Sequence, residues 1–293
     1  MLISKDGGPP DVTESAIKAL APSGVGIPGL VLKPKANVAG RAAVPDRLPR
    51  VNLVNTNSEK LSLSIDALWT KLNGGKPSSE VIVTTADPAL SRFALPAGSL
   101  AAKTGSPVFF VGRDTVPLAT LRAIQAHKKP HIYVVGPPRA ISDTLLKRLK
   151  RFGPVRRIGG DTPTENAVQV AIFADPITGW GWNIISPGHG LVVMNSHREM
   201  DAAAAATLSS GAAYGPLLLN ASSKTLDLAL QNYLLDIKPA YRDDPSDGVY
   251  NRAWLLGDEK ILSPALQASI DKLCEIVQVT GQTGEALAGQ EGL

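Results

Sequence analysis

The chain has a single cysteine, Cys274, so it can form neither an internal disulfide framework nor a cysteine-rich zinc or iron–sulfur centre. Aromatic residues are scarce at 5%, which leaves Ala, Leu, Val and Ile to fill the interior. No run approaches the roughly 18 consecutive apolar residues of a membrane-spanning helix, and no membrane insertion is expected. The phosphate-loop pattern GxxxxGK[ST], the nucleophile elbow GxSxG and the zinc-protease pattern HExxH are all missing. Excess charge is missing too: 30 Lys and Arg stand against 26 Asp and Glu, a formal +4, too little to announce a nucleic-acid partner. The first twenty residues carry Asp6, Gly7-Gly8 and Pro9-Pro10 where a secretory leader has its apolar stretch. The expectation is an intracellular chain or one whose leader precedes this numbering.

What remains is an ordinary globular mix of 44% apolar and 19% charged residues over 293 positions, enough for two cores and incompatible with a disordered chain. Charge is unevenly placed. Arg139 to Arg157 holds seven basic residues (Arg139, Lys147, Arg148, Lys150, Arg151, Arg156 and Arg157) and one acid, whereas Tyr241 to Leu293 holds four basic residues and nine acids. Residues 1–50 read as an extended arm: Ala21 to Arg50 has five prolines, five Lys or Arg and no apolar period, with one apolar patch at Ile27 to Leu32. That arm is either a solvated linker or a strap over a neighbouring domain or subunit.

From Val51 onward short β-branched runs alternate with helical patterns, the signature of a parallel sheet covered by helices. VNLV at Val51, VIVTT at Val81, PVFFVG at Pro107 and HIYVVG at His131 read as central strands, because strands buried on both faces lose polar alternation. VRRIGG at Val155 then opens a second round with strands at Leu191, Pro216 and Ala253. The register of this repeat is fixed by Val81-Ile82-Val83 against Leu191-Val192-Val193 at an offset of 110, Lys129-Pro130 against Lys238-Pro239 at 109, and Ile141-Ser142 against Leu262-Ser263 at 121. The jump locates an insertion, YRDDPSDGVYNR, in the second copy. The expected architecture is α/β, with two tandem Rossmann-like parallel-sheet domains carrying helices on both faces. Its predicted divisions are the arm at 1–50, a first repeat at 51–156, a second at 157–279 and a polar tail at 280–293.

The strings SEVIVTTADPALSRFALPAGSLAAKTGSPVFFVG (Ser79 to Gly112) and LATLRAIQAHKKPHIYVVGPPRAISDTLLKRLKRFGPVRRIGG (Leu118 to Gly160) resemble the bacterial cell wall binding repeat type 2 family. The likeness rests on an alanine-rich helix, a Pro before the next strand, the VVGPPRAISD turn and the closing RRIGG. The second copy matches more loosely, through LLGDEKILSPALQASIDKL, and the acidic–Arg–Tyr opening of the family is absent from both. The resemblance implies Rossmann-like modules that hold an anionic cell-wall polysaccharide non-covalently, on a secreted bacterial protein at the cell wall or cell surface.

No catalytic residue, cofactor or metal is expected. Gly136-Pro137-Pro138 puts two prolines where a phosphate-binding turn needs donors. Cys274 follows Ile270 by one helical turn and reads as a buried thiol. His127, His131, His189 and His197 are spread along the chain, and only His189 and His197 flank a common strand, where they could converge. Asp87 and Asp201 follow equivalent strands and are the best candidates for paired carboxylates, although helix capping or loop solvation accounts for each.

The candidate polymer-binding residues are Arg139, Lys147, Arg148, Lys150, Arg151, Arg156 and Arg157. In LLKRLKRF the leucines are spaced to face the sheet and the cations to face out. Trp180 and Trp182, on the loop Pro176 to Gly190, are either a platform for stacking sugars or a plug between the sister domains. The alternative from another class is an assembly protein whose repeats self-associate into a homo-oligomer, with the arm strapping neighbouring subunits.

Overall fold

A computed structural model describes residues 31–32, 50–51, 58–211 and 213–279. The apart-standing pair β1 (Val31–Leu32) and β2 (Arg50–Val51) runs parallel. The remainder of the expected arm and the tail from 280 onward lie outside the described residues. Of the expected strand VNLV only Val51 lies among the described residues, where it pairs with Leu32, and the next described element is helix α1 (Ser58–Leu72).

The first sheet is parallel throughout, in the order β4 (Val108–Val111), β3 (Glu80–Thr85), β5 (His131–Val135), β6 (Val155–Ile158). Its central strands are the apolar runs, and Val81, Ile82, Val83, Ile132, Tyr133, Val134 and Val135 have no solvent exposure. Both faces must therefore be covered. Alternate residues divide between them. Val81, Val83, Phe109, Val111, Ile132 and Val134 meet α1, α3 (Leu118–Ala126) and α4 (Asp143–Leu149) through Leu63, Ile124, Leu145 and Leu149. Ile82, Tyr133 and Val135 meet α2 (Leu95–Thr104) and α5 (Pro163–Ile172) through Ala97, Leu100, Val170 and Ala171. VRRI thus closes the first sheet as its fourth strand, paired with β5, and does not open the second round. The expected boundary at residue 156 falls inside β6.

The second sheet repeats the strand order. In β10 (Arg252–Leu256), β7 (Gly190–Asn195), β8 (Leu217–Asn220) the first strand of the unit is again central, flanked by its second and third. Helix α6 (Ala202–Ser210) packs on Val192, Met194, Leu217 and Leu219. On the other face Leu191, Val193 and Leu218 meet α7 (Leu228–Asp236) and α8 (Pro264–Cys274) through Leu230, Leu234, Leu266 and Ile270. The insertion has a structural consequence. In the first unit β5 pairs with both β3 and β6. In the second these tasks are divided: Arg252–Leu256 pairs with β7, while β9 (Ala240–Tyr241), just before the insertion, pairs with β11 (Val277–Gln278).

The two units share one core. Buried residues of both sheets and of α2, α5, α7 and α8 form a continuous cluster. Strand β8 is an edge of its sheet, and α2 lies against it: Ser99 Oγ accepts from the Leu217 N–H at 3.4 Å. Covering an edge this way removes a site for unwanted strand pairing. Gly98 and Ala206 face each other across α2 and α6, small enough for close approach.

Helix α1 is held to the first unit by a buried ion pair. His127, at the C-terminus of α3, places Nε2 3.1 Å from Asp66 Oδ2 and Nδ1 2.9 Å from the Ser78 carbonyl. Both partners only accept, so both ring nitrogens donate and the imidazole is charged. Burial works against that charge, but the hydrogen bonds to Asp66 and Ser78 and the carboxylate's field outweigh it, and the His127 pKa is raised above 6.5. A raised pKa gives stability that is complete below the unfolded-state value and is lost as pH climbs through the folded-state value. Hydrogen exchange of α1 amides, corrected for intrinsic rates, is expected to quicken as pH rises above 6.5 and through the raised folded-state value. In His127→Gln the quickening disappears. A wild-type rate independent of pH contradicts the assignment.

Candidate anion-binding face

The basic cluster is built on α4. Ser142, in extended conformation, caps the helix by accepting from the Leu145 N–H at 3.1 Å. Leu145 and Leu149 are fully buried under the first sheet, which turns Lys147, Arg148, Lys150 and Arg151 outward, all exposed. Of these four, Arg148 donates to the Asp114 carbonyl at 3.1 Å, and Lys147, Lys150 and Arg151 have no side-chain partner among the described residues.

The other three cations are engaged elsewhere. Arg157 donates to the carbonyls of Gly136 and Ile141, at 2.6 Å each, and pairs with Asp143 at 3.0 Å. It thereby staples the turn from β5 into α4. Arg139 donates to the Asp161 carbonyl at 2.5 Å and lies 4.7 Å over the Phe93 ring. Arg156 pairs at 2.8 Å with Asp175, whose side chain is fully buried. Burial would raise the Asp175 pKa, but N–H groups of Ile177 and Thr178, the Tyr133 hydroxyl and Arg156 together hold it below 3.8. The seven expected binding residues therefore do not make one surface. Two stand on α4 and two on the turn that leaves it, two brace the strand tips and one neutralises an interior carboxylate.

Trp180 and Trp182 are 8% and 3% exposed. Trp180 stacks on Tyr133 at 3.7 Å between ring centroids and 4° between planes, with Nε1 donating to Ser106 Oγ at 3.1 Å. Trp182 lies beneath Lys103 Nζ, 4.6 Å from the ring centroid, and Lys103 also donates to the Gly181 carbonyl at 2.6 Å. With rings covered in this way, neither residue offers a face for a sugar. The sugar-stacking expectation for Trp180 and Trp182 is corrected to the plug, which joins residues of both sheets in the shared core. Tyr133, buried beneath the indole, has its pKa pushed up to about 12 chiefly by burial.

At the strand tips, Gly136 and Gly257 occupy equivalent positions with φ of 134° and 142°, a conformation that a side chain rarely adopts. These are turns, and in the first unit the carbonyl groups there are already taken by Arg157. Asp87 accepts from the Ala89 N–H at 2.9 Å as a cap, and Asp201 pairs with Arg198 at 3.2 Å. His189 and His197 sit beyond opposite ends of β7, separated by a six-residue strand of roughly 20 Å, and do not converge. Cys274 is buried and its pKa is pushed up to about 11 by burial and then by Asp271, which makes it a poor nucleophile. Among the described residues no group of three or more His, Cys, Asp or Glu could hold a metal ion.

Comparison with known proteins agrees with the resemblance seen in the residues. Residues 54–146 match the family model of cell wall binding domain 2 (CWB2). The CWB2 match runs from just before α1 into α4, so it contains Arg139 and ends one residue before Lys147. The amidase enhancer of Bacillus subtilis (strain 168) is 39% identical over 67 residues, 23% of this chain and 10% of that protein. Two solved structures share the fold with a TM-score of 0.56 each: Cwp6 from Clostridium difficile, at 17% identity over 78% of this chain, and Cwp8 from the same organism, at 14% over 92%. The chain spans 32% and 37% of those two.

Lys128 and Lys129, exposed in the turn before β5, do not stand out in the sequence because they lie outside the basic run from Arg139 to Arg157. Their φ values of 56° and 66° single them out in the structure. The plug yields a test: Trp180→Ala should cost about 3–5 kcal/mol in denaturant unfolding, while wall binding by the folded fraction stays as in wild type. Lost binding at unchanged stability contradicts the plug.

Proposed function

We propose that this chain is a non-catalytic, extracellular cell-surface protein that attaches to an anionic cell-wall polymer through the outward face of α4. The observation that carries the reading is the CWB2 match over residues 54–146 next to a row of exposed cations, Lys147, Arg148, Lys150 and Arg151. Lys and Arg on a convex helix suit a flexible polyanion that is held by charge and not enclosed. The tip of β5, one of the strand ends where α/β sheets ordinarily take small ligands, is closed by Arg157 and by proline.

Attachment of this kind is weak per contact and screened by salt, because the Debye length shrinks from about 10 Å at 0.1 M to 3 Å at 1 M. Retention on purified walls should fall by on the order of tenfold across that range. Reversing Lys147, Arg148, Lys150 and Arg151 to Glu together should abolish it at low salt. Retention unchanged by the four reversals would refute the reading.

One observation favours the self-assembly alternative. Ile65, Trp69 and Leu72 on α1 are 42%, 42% and 50% exposed and lie at i, i+4 and i+7, one stripe of the helix. Sedimentation separates the two: mass rising with concentration, and reduced by Trp69→Glu, supports assembly.

A further inference from the structure

Beside α4 is a shallow depression of about 450 Å³ lined by Lys129, Lys150, Arg151, Gly153, Pro154 and Val155, with no acid in its wall. Two turns distant in sequence make it. Gly153 lies so close to the Pro130 carbonyl that an added Cβ would fall on the oxygen, and this approach seats the α4 exit against the α3–β5 turn. On that second turn Lys128 and Lys129 both adopt left-handed backbone, unfavourable for residues with a Cβ. All four cations (Lys128, Lys129, Lys150 and Arg151) are exposed, and none has a side-chain partner among the described residues.

The second unit serves as an internal control, since it has the same strand order and the same Ser-capped helix. There Lys128 and Lys129 correspond to Ile237, which is buried, and Lys238, and neither has positive φ. Lys147, Arg148 and Lys150 correspond to Ala268, Ser269 and Asp271, while Arg151 corresponds to Lys272, so the second unit keeps two of the three lining cations but sets an acid where Lys150 stands. The fold therefore does not require the strained lysine turn, nor a cation at the Lys150 position. Strain retained where the scaffold can do without it points to a ligand.

We infer that this depression is an oxyanion subsite, that Lys129, Lys150 and Arg151 hold one acidic group of a repeating polyanion there with Lys128 at its rim, and that Asp271 and the unstrained turn disable the equivalent place in the second unit. The inference rests on the polymer-binding reading above and locates it. An open, cation-lined hollow fits a group presented from outside on a chain, and both phosphodiester and uronate carry such a group.

The test uses the full chain with two probes, a glycerol phosphate oligomer and an oligogalacturonate, in titration calorimetry at low salt. At least one probe binds wild type, and the one that does identifies the acid. Lys129→Gln/Lys150→Gln/Arg151→Gln lowers that affinity by about tenfold or more. Lys238→Gln/Lys260→Gln/Lys272→Gln, an equal loss of charge in the second unit, changes it by less than about twofold. Equal losses in the two triple variants, or binding of neither probe while intact walls are bound, overturn the subsite and leave wall attachment standing. Failure of wild type to bind walls removes both.

Discussion

The structure depends on the double-sided burial of two parallel sheets. A strand such as Glu80–Thr85 is apolar on both faces over most of its length and has no stable place until helices cover it above and below. Two sheets in one chain would ordinarily need two full sets of helices. Here α2 and α5 cover one face of the first sheet, α2 also reaches the exposed edge of the second, and the interior runs unbroken from Ile82 to Ile270. The units are thus halves of one body, and the Trp180–Tyr133 stack lies within that shared interior.

Burying both faces also dictates where function can sit. Interior positions are committed to packing, and the turn at the β5 tip is closed by the Arg157 staple and by Pro137 and Pro138. The exposed cations lie instead on helix surface and on the turns at the opposite ends of the strands. Cations there need no enclosing cavity to act on a polymer, because charge on an open surface is accessible along the whole length of a chain.

The strands and helices are legible in the sequence wherever the signal is local: Val81–Val83, the Ile141-Ser142 and Leu262-Ser263 pairs and the insertion after Ala240 are all written in short stretches of residues. The exceptions are features decided by distant partners. Val155–Ile158 carries Arg156 and Arg157 and reads as a new beginning, yet its hydrogen bonds go to β5 and make it an edge. Whether Trp180 is a plug or a platform depends on Tyr133 and Ser106, 47 and 74 positions away. The seven cations of one sequence run scatter because strand residues at 156 and 157 point to opposite faces. Lys128 and Lys129 join the basic face only through the close approach of Gly153 to Pro130.

Duplication gives the molecule two copies of one scaffold, and divergence has set Asp271 in the second where Lys150 stands in the first. The most direct measurement is amide shift mapping of the full chain during titration with the glycerol phosphate oligomer. The account predicts perturbations confined to residues 128–130 and 147–155. Shifts centred on the Gly136 turn, or of equal size around Lys238 and Lys272, would contradict it.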